Sequence, residues 1–423
     1  MAENRFDVVV AGGGPGGISA AVAAADRGAS VLLVEKYGFL GGMATAGLVN
    51  PFMAYHLEGK RLTSAVFNEL VDRLEKVGAM IPPRFEPGIY PSGIFDDEAM
   101  KSVLDEMMAD HKVKVLLHSF VSGTQIAGGI VESISVECKP GRKTIGAKIF
   151  VDSTGDGDLA FLAGARFEMG RIEDGYCQPM TTCFRVGGVT GGLDAHILGQ
   201  ELTPIYLEAK NLGEVTNPRE DVLIFSTLVP GIYHFNTTRM VKKNGVDAGD
   251  MTEAEQEGRR QVVEMMTFFR KHSPRFRNAY LLKVACQVGV RETRRIMGEY
   301  ILTAEDVLGA QKFPDGIARS NYNIDIHNPT GTGTVLKELA PGEYYEIPYR
   351  CLVPTGLDNL LVGSRCISAT HEAHSSLRIM PVVSGLGEAA GAAAAIAVKE
   401  AIVPAMIDGA RMKKEILGQM ESF

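Results

Sequence analysis

The residues whose types and spacing carry the most chemistry are Gly12, Gly14 and Gly17, followed 18 positions after Gly17 by Glu35. The glycines close an apolar run at 6–11, an alanine-rich stretch follows, and a second apolar run at 30–34 delivers the acid. This is the strand, turn, helix, strand order of a dinucleotide-binding unit. Gly12 permits the tight turn, Gly14 lets a pyrophosphate approach the backbone, and Gly17 lets the helix lie close to the sheet, with Gly13, Pro15 and Gly16 completing the loop. The start of the helix offers free N–H groups and the positive end of a dipole to the phosphates. Glu35 is placed to accept hydrogen bonds from both ribose hydroxyls of an adenosine and would repel a 2′-phosphate, which favours FAD or NAD over NADP.

Beyond Glu35 and Lys36 lies a second glycine-rich, uncharged loop containing Gly41, Gly42, Met43, Ala44 and Thr45. It resembles the signature of the large glutathione-reductase-like group of flavoproteins, in which such a loop runs along the pyrophosphate. The resemblance implies FAD. It continues in Asp152-Ser153-Thr154-Gly155-Asp156, similar to the later strand and Thr-Gly turn beside the cofactor, and it places Val121 at the cofactor as well. Residues 357–365 resemble the final strand of the FAD domain, although Gly363-Ser364-Arg365 stands where many flavoproteins have Gly-Asp. Arg365 is therefore expected to neutralise a phosphate or to contact the flavin.

The stretch 380–391, with Gly387, Glu388, Ala389 and Ala390, reads as the start of a helix whose N-terminus points at the flavin ring, where its dipole would stabilise the reduced, anionic form. A buried Ala/Gly helix packed on the sheet explains the same composition. Over nearly its full length the chain resembles the bacterial FAD-dependent oxidoreductases of unassigned substrate. That resemblance implies a Rossmann-like α/β FAD fold, with a parallel sheet plus β-meander, and an inserted mixed α+β substrate domain.

Chemistry at a flavin needs a substrate held over N5 and usually a group that handles a proton. His327 lies in a strand-like alternation that puts it on one face with Asp325, so it is the candidate for proton transfer or substrate orientation; a strand-end histidine capping carbonyls is the plainer reading. Arg291 is the candidate anchor for a substrate carboxylate or carbonyl, against an ordinary ion pair with Glu292 or Glu299. His371 and His374 follow the last strand and are expected to reach the substrate, and Arg378 to orient the pyrimidine side of the flavin. Tyr233 and His234 are weaker pocket candidates. His371-x-x-His374 lacks the spacing and intervening glutamate of a zinc protease, so no metal is expected.

The elements that must position these groups follow from where the cofactor motifs fall. They occur at both ends of the chain, which predicts a discontinuous FAD domain over 1–165 and 348–423 interrupted by a substrate domain over 166–347. Periodicity predicts a helix over 95–111, short strands over 113–150 and over 223–235, a helix over 253–272, and strand, loop, strand over 284–302; 192–211 reads as mixed.

Composition and absences narrow the function. A net charge of −8 argues against nucleic acid, and against a tRNA-modifying relative of the fold. Six cysteines form neither Cys-x-x-Cys nor Cys-x4-Cys, which excludes disulfide reduction, and the absence of Trp removes the tryptophan motif of flavin halogenases. With no secretory pattern at the start and an apolar stretch at 381–403 interrupted by Glu388 and Lys399, a cytoplasmic protein without a membrane span is expected. Only one dinucleotide fingerprint is present, so either the substrate reduces the flavin or an external donor or acceptor takes part; a homo-oligomer is compatible with the sequence. The expected activity is hydride transfer between a small polar molecule and flavin N5, with an enoate or fumarate-type reductase and a non-catalytic flavin-binding protein as alternatives.

Overall fold

The computed structural model describes residues 5–85 and 91–418. At its centre β1 (Arg5–Ala11), built from the buried run Val8-Val9-Val10-Ala11, lies parallel to β2 (Val31–Val34) on one side and to the long strand Gly141–Asp152 on the other. Side chains buried on both faces are what a central parallel strand requires. Lys114–Leu116 extends the sheet beyond β2.

The long strand serves two pairings. Its first half pairs antiparallel with Ile130–Cys138, which in turn pairs with Phe120–Ala127, and its last three residues pair parallel with Leu360–Val362. Glycines at 128 and 129 and a Pro140-Gly141 turn separate these meander strands, as the sequence predicts. The parallel strands end together, so Gly12, Glu35, Ser153 and Gly363 emerge at one edge of the sheet. In open α/β sheets that edge is where ligands bind.

The helix α1 (Pro15–Asp26) crosses behind this edge, and the C-terminal helix Met380–Glu400 lies directly on it. Main chains meet at two points: a Cβ at Gly387 would overlap the carbonyl oxygen of Gly16, and one at Gly391 that of Ala20. Ser19 and Ser384 share a buried hydrogen bond of 2.6 Å across the contact. The helix is apolar and long enough to cross a membrane, but 94% of its most apolar window is buried within the protein.

A second layer consists of the four-stranded antiparallel sheet Ile224–Ser226, Tyr233–Phe235, Phe184–Gly187, Tyr280–Val284, in that order. The helices Ala195–Asn211 and Ala248–His272 cover it, the first from a stretch whose periodicity is mixed and the second close to the predicted 253–272. Its core is aromatic, with Phe184 stacked on Phe235 and Phe269 on Phe276. Residues 296–347 pack instead into the core of the large sheet, through Ile296, Leu302, Ile317 and Ile324.

The two layers are tied by Asp97. It is fully buried at the start of helix Asp97–Asp110, which corresponds to the predicted 95–111, and it pairs at 2.5 Å with both Arg185 and Lys283 of the four-stranded sheet.

The contact between the two helices generates a stability prediction. Gly391→Ala places a methyl on the Ala20 carbonyl and forces the helices apart, so it should cost about 1–3 kcal/mol or more in urea unfolding. Gly123→Ala meets only ordinary contacts with Ser135 and should cost well under that. Equal stability of the two variants would contradict the packing described.

Candidate active site

A single cavity of about 440 Å³ runs from the carboxyl edge of the large sheet to the face of the second layer. At the sheet end it is lined by Gly12, Gly14, Pro15 and Gly16, by Glu35 and Lys36, by Gly42 and Met43, and by Thr154, Gly155 and Asp156. Gly12 has φ +99°, and a Cβ there would collide with the Ser153 carbonyl, so only glycine fits the turn. Gly14 caps α1 without a side-chain hydrogen bond and Pro15 opens the helix, leaving the first N–H groups of the helix open to an anion.

Glu35 is buried, and each of its oxygens accepts one backbone N–H, Oε2 from Gly13 at 2.6 Å and Oε1 from Tyr37 at 2.9 Å. A carboxylate offers about four lone-pair sites, so both oxygens keep capacity for ribose hydroxyls. A smaller cavity of about 40 Å³ adjoins it, lined by Val34, Glu35, Ser119 and Val121. Asp152 holds the Thr154 turn through the backbone N–H and hydroxyl of Thr154 at 3.0 and 2.8 Å. Arg365 lines the cavity with its charge paired to Asp156 at 2.7 Å. This cradle fits the ADP half of a flavin dinucleotide on steric, hydrogen-bonding and electrostatic grounds.

Some expected cofactor contacts lie behind the cavity wall. Gly13 turns its N–H to Glu35, and Gly17 packs on the Gly12 carbonyl. Gly41 donates to the Gly13 carbonyl at 2.9 Å, and Thr45 turns its hydroxyl to the Leu40 carbonyl at 2.7 Å, with Ala44 buried beside them. These residues shape the loop from behind. The assignment of Gly387, Glu388, Ala389 and Ala390 to the cofactor is corrected. The helix begins at Met380, so these four sit two turns inside it, against α1, and Glu388 accepts the Val66 N–H at 2.9 Å. The residues that meet the cavity at its true N-terminus are Arg378, Ile379, Met380 and Val383.

His371 and His374 are also corrected: neither lines the cavity. Helix His371–Leu377 turns them inward, where His371 Nδ1 lies 2.9 Å from Glu292 and His374 is fully buried with its pKa pushed far down by burial and nearby arginines. Glu292 is buried and pairs with Arg295 as well, and it accepts the Gln178 N–H at 3.0 Å. That pairing accounts for Glu292 without Arg291. Tyr233 and His234 belong to the core of the second layer and do not reach the cavity; the Tyr233 hydroxyl donates to Leu193 at 2.6 Å.

At the far end Arg291, Asp325, His327 and Arg378 converge on the cavity, joined by Tyr322, Thr334 and the run Arg219-Glu220-Asp221. Strand Ile324–His327 puts Asp325 and His327 on one face, as alternation predicts. Asp325 accepts from the Tyr322 hydroxyl at 2.9 Å and lies 3.5 Å from His327 Nε2 and 3.4 Å from Arg378. Burial pushes the Asp325 carboxyl up, but these partners outweigh it and hold it far below the usual carboxylate range.

His327 Nδ1 faces the Arg239 guanidinium at 3.2 Å. A guanidinium has no acceptor, so its N–H directed at Nδ1 favours an unprotonated Nδ1 and a ring proton on Nε2, toward Asp325, with the Thr334 hydroxyl oxygen 3.1 Å from Nδ1 as a further neighbour. Burial and the charge of Arg291 lower the His327 pKa to about 3. The expected proton carrier is therefore a neutral hydrogen-bond donor near pH 7.

Arg291 is buried, and its Nη1 donates to the Pro179 carbonyl at 2.6 Å. It forms no ion pair among the described residues, so the expected alternatives of Glu292 or Glu299 are not realised. Its pKa is lowered to about 9, first by burial and then by Arg378, Arg219 and Arg239. Arg219, Glu220 and Arg239 escape a reading of the sequence, because charged residues in a loop read as solvated. Their only signal is density of charge around Pro218.

A family model described as FAD dependent oxidoreductase matches residues 7–416. The comparison with curated proteins returned no match. Among solved structures, the flavin-dependent brominase Bmp2 is similar at 12% identity, covering 99% of this chain and 83% of that one with a TM-score of 0.51. A geranylgeranyl bacteriochlorophyll reductase-like protein from Thermoplasma acidophilum matches at 12% identity over 99% and 83% of the two chains, with a TM-score of 0.49. The p-nitrophenol 4-monooxygenase PnpA from Pseudomonas putida DLL-E4 matches at 12% identity over 94% and 81%, also at 0.49. At 12% identity the likeness to the brominase shows the fold alone.

Two predictions follow from the buried charges. Because the folded His327 pKa lies near 3 and the unfolded value near 6.5, the unfolded chain binds a proton that the folded one does not between those limits. Stability therefore falls as pH drops through this window, by about 1.4 kcal/mol per pH unit for this one group. Histidine NMR should show the His327 ring uncharged down to pH 5, and titration near 6–7 would contradict the assignment. Glu292→Gln leaves the buried Arg295 with only the exposed Glu168, 3.7 Å away, as counter-charge and should cost about 3 kcal/mol in chemical denaturation.

Proposed function

We propose that this chain, which belongs to the FAD-dependent oxidoreductase family, binds its small-molecule substrate at the Arg291–His327 end of the cavity and exchanges a hydride with it. The observation that carries the reading is the continuity of that cavity: the dinucleotide cradle and the buried Arg291, Asp325 and His327 line one space.

Bound FAD supplies a two-electron centre that takes or gives the hydride at N5. Gly12, Gly14 and the start of α1 hold the pyrophosphate, Glu35 the ribose, and the start of the C-terminal helix, from Arg378 to Met380, serves the flavin ring. Arg291 holds a polar group of the substrate in a forked hydrogen bond. His327 donates through Nε2 and keeps Asp325 ionised and in place, while Arg239 fixes its tautomer. The four-stranded layer and its helices, within the 166–347 of the sequence reading, act as the substrate side. Thr181, Leu223, Phe225 and Asn236 line the cavity opposite the sheet.

The test is anaerobic mixing of the FAD-loaded protein with fractionated metabolite pools, followed by the flavin absorbance. At least one pool should bleach the oxidised protein, or reoxidise protein reduced beforehand. Hydrogen bonds to a charged group contribute about 1.5–3 kcal/mol, so Arg291→Lys should lower kcat/KM for that substrate about 10- to 100-fold with FAD content unchanged. Protein that keeps FAD yet exchanges electrons with no pool in either direction would refute the catalytic reading.

A further inference from the structure

The charges around the substrate end do not cancel. Arg219, Arg239, Arg291 and Arg378 face or back this part of the cavity, against Glu220, Asp221 and Asp325. Every one of the three carboxylates is already held: Glu220 by Arg239 at 2.9 Å and the Thr334 hydroxyl at 2.7 Å, Asp221 by Arg219 at 2.6 Å, and Asp325 by Tyr322, His327 and Arg378. The unmatched charge is that of Arg291, which is 9% exposed and whose protein hydrogen bond is to a carbonyl. A second donor is also unused, since the buried Nη1 of Arg219 has no hydrogen-bond partner among the described residues.

Leaving a guanidinium buried without a counter-charge is costly, and an anion beside it recovers that cost. A cationic group entering the same space would meet carboxylates already neutralised and a surplus arginine. We infer that the substrate is a carboxylic acid with no amine near its carboxylate, such as an oxo, hydroxy or unsaturated acid, and that Arg291 receives the carboxylate. The inference rests on the reading of this cavity as the substrate site of a flavin enzyme. The depressed basicity of Arg291 supports it, because burial first and then Arg378, Arg219 and Arg239 disfavour the charge, with Asp325 alone opposing them, and an anion beside it would relieve that cost.

The experiment uses the FAD-loaded protein and follows the visible flavin spectrum during titration with pyruvate, lactate and crotonate, with their amides, and with alanine. The acids should perturb the spectrum saturably, and the amides and alanine should bind at least ten-fold more weakly. Arg291→Met should raise the Kd for the acids at least thirty-fold while FAD content stays at that of the parent, and Arg291→Lys should fall between. The inference is overturned if none of the acids binds, if amides or alanine bind as well as acids, or if Arg291→Met leaves the acid Kd unchanged. A change confined to the flavin midpoint potential in Arg291→Met would likewise overturn it, by placing the guanidinium on the cofactor. The two readings fail separately. Acid binding that depends on Arg291 in a protein whose flavin never turns over keeps the carboxylate site and removes the hydride chemistry, whereas bleaching by an amine does the reverse.

Discussion

The backbone contact between α1 and the C-terminal helix Met380–Glu400 is the constraint on which the site depends. Gly16 and Ala20 on one helix meet Gly387 and Gly391 on the other with no side chain between them, so the separation of the axes is set by main-chain atoms. The first of these helices carries the phosphate-facing turn, and the second brings its cap Ile379 and Met380 to the cavity beside Arg378, which ends the preceding helix His371–Leu377. Fixing one against the other therefore fixes the distance from the dinucleotide cradle to the arginine-lined end of the cavity. Close-packed interiors resist even one added methyl, which is why small residues hold this seam.

The opposite wall is positioned by charge. Asp97 clamps Arg185 and Lys283, joining the four-stranded layer to the large sheet, and Arg239 joins Glu220 to the carbonyls of Gly331 and Gly333 beside His327. Buried ion pairs of this kind contribute little net stability, because desolvation offsets attraction, but they are unforgiving about geometry. Their effect here is to hold the substrate end in one arrangement with an arginine left over.

The same electrostatics change what His327 does. An imidazole with a guanidinium on one nitrogen and a carboxylate near the other is an oriented donor, and burial among arginines keeps it uncharged. Polar networks in a low-dielectric interior are strong when each member is satisfied, and Tyr322, Asp325, His327 and Arg239 form such a chain.

The glycine turn, its acid and the apolar runs around them were legible in the sequence because they are local: chain geometry at Gly12, the free N–H groups of a helix start and a strand-end carboxylate each depend on a few consecutive residues. So were the meander strands and helix Asp97–Asp110, whose periodicities are strong. The alternation that pairs Asp325 with His327 was legible for the same reason. The sequence could not tell that Gly387–Ala390 lies two turns inside its helix, because an Ala/Gly run carries no cap and Pro381 alone marks the start. Nor could it tell which histidine meets the cavity, since His371 is turned inward by a glutamate 79 positions away. Arg219, Glu220 and Arg239 read as solvated charges, and only the tertiary fold buries the two arginines, with Glu220 half-buried against Arg239, around the same cavity end as Arg291. Local backbone chemistry determined where a dinucleotide fits; the balance of charge at the substrate end was decided by tertiary structure, because desolvation and pairing depend on which distant residues fold over the same space.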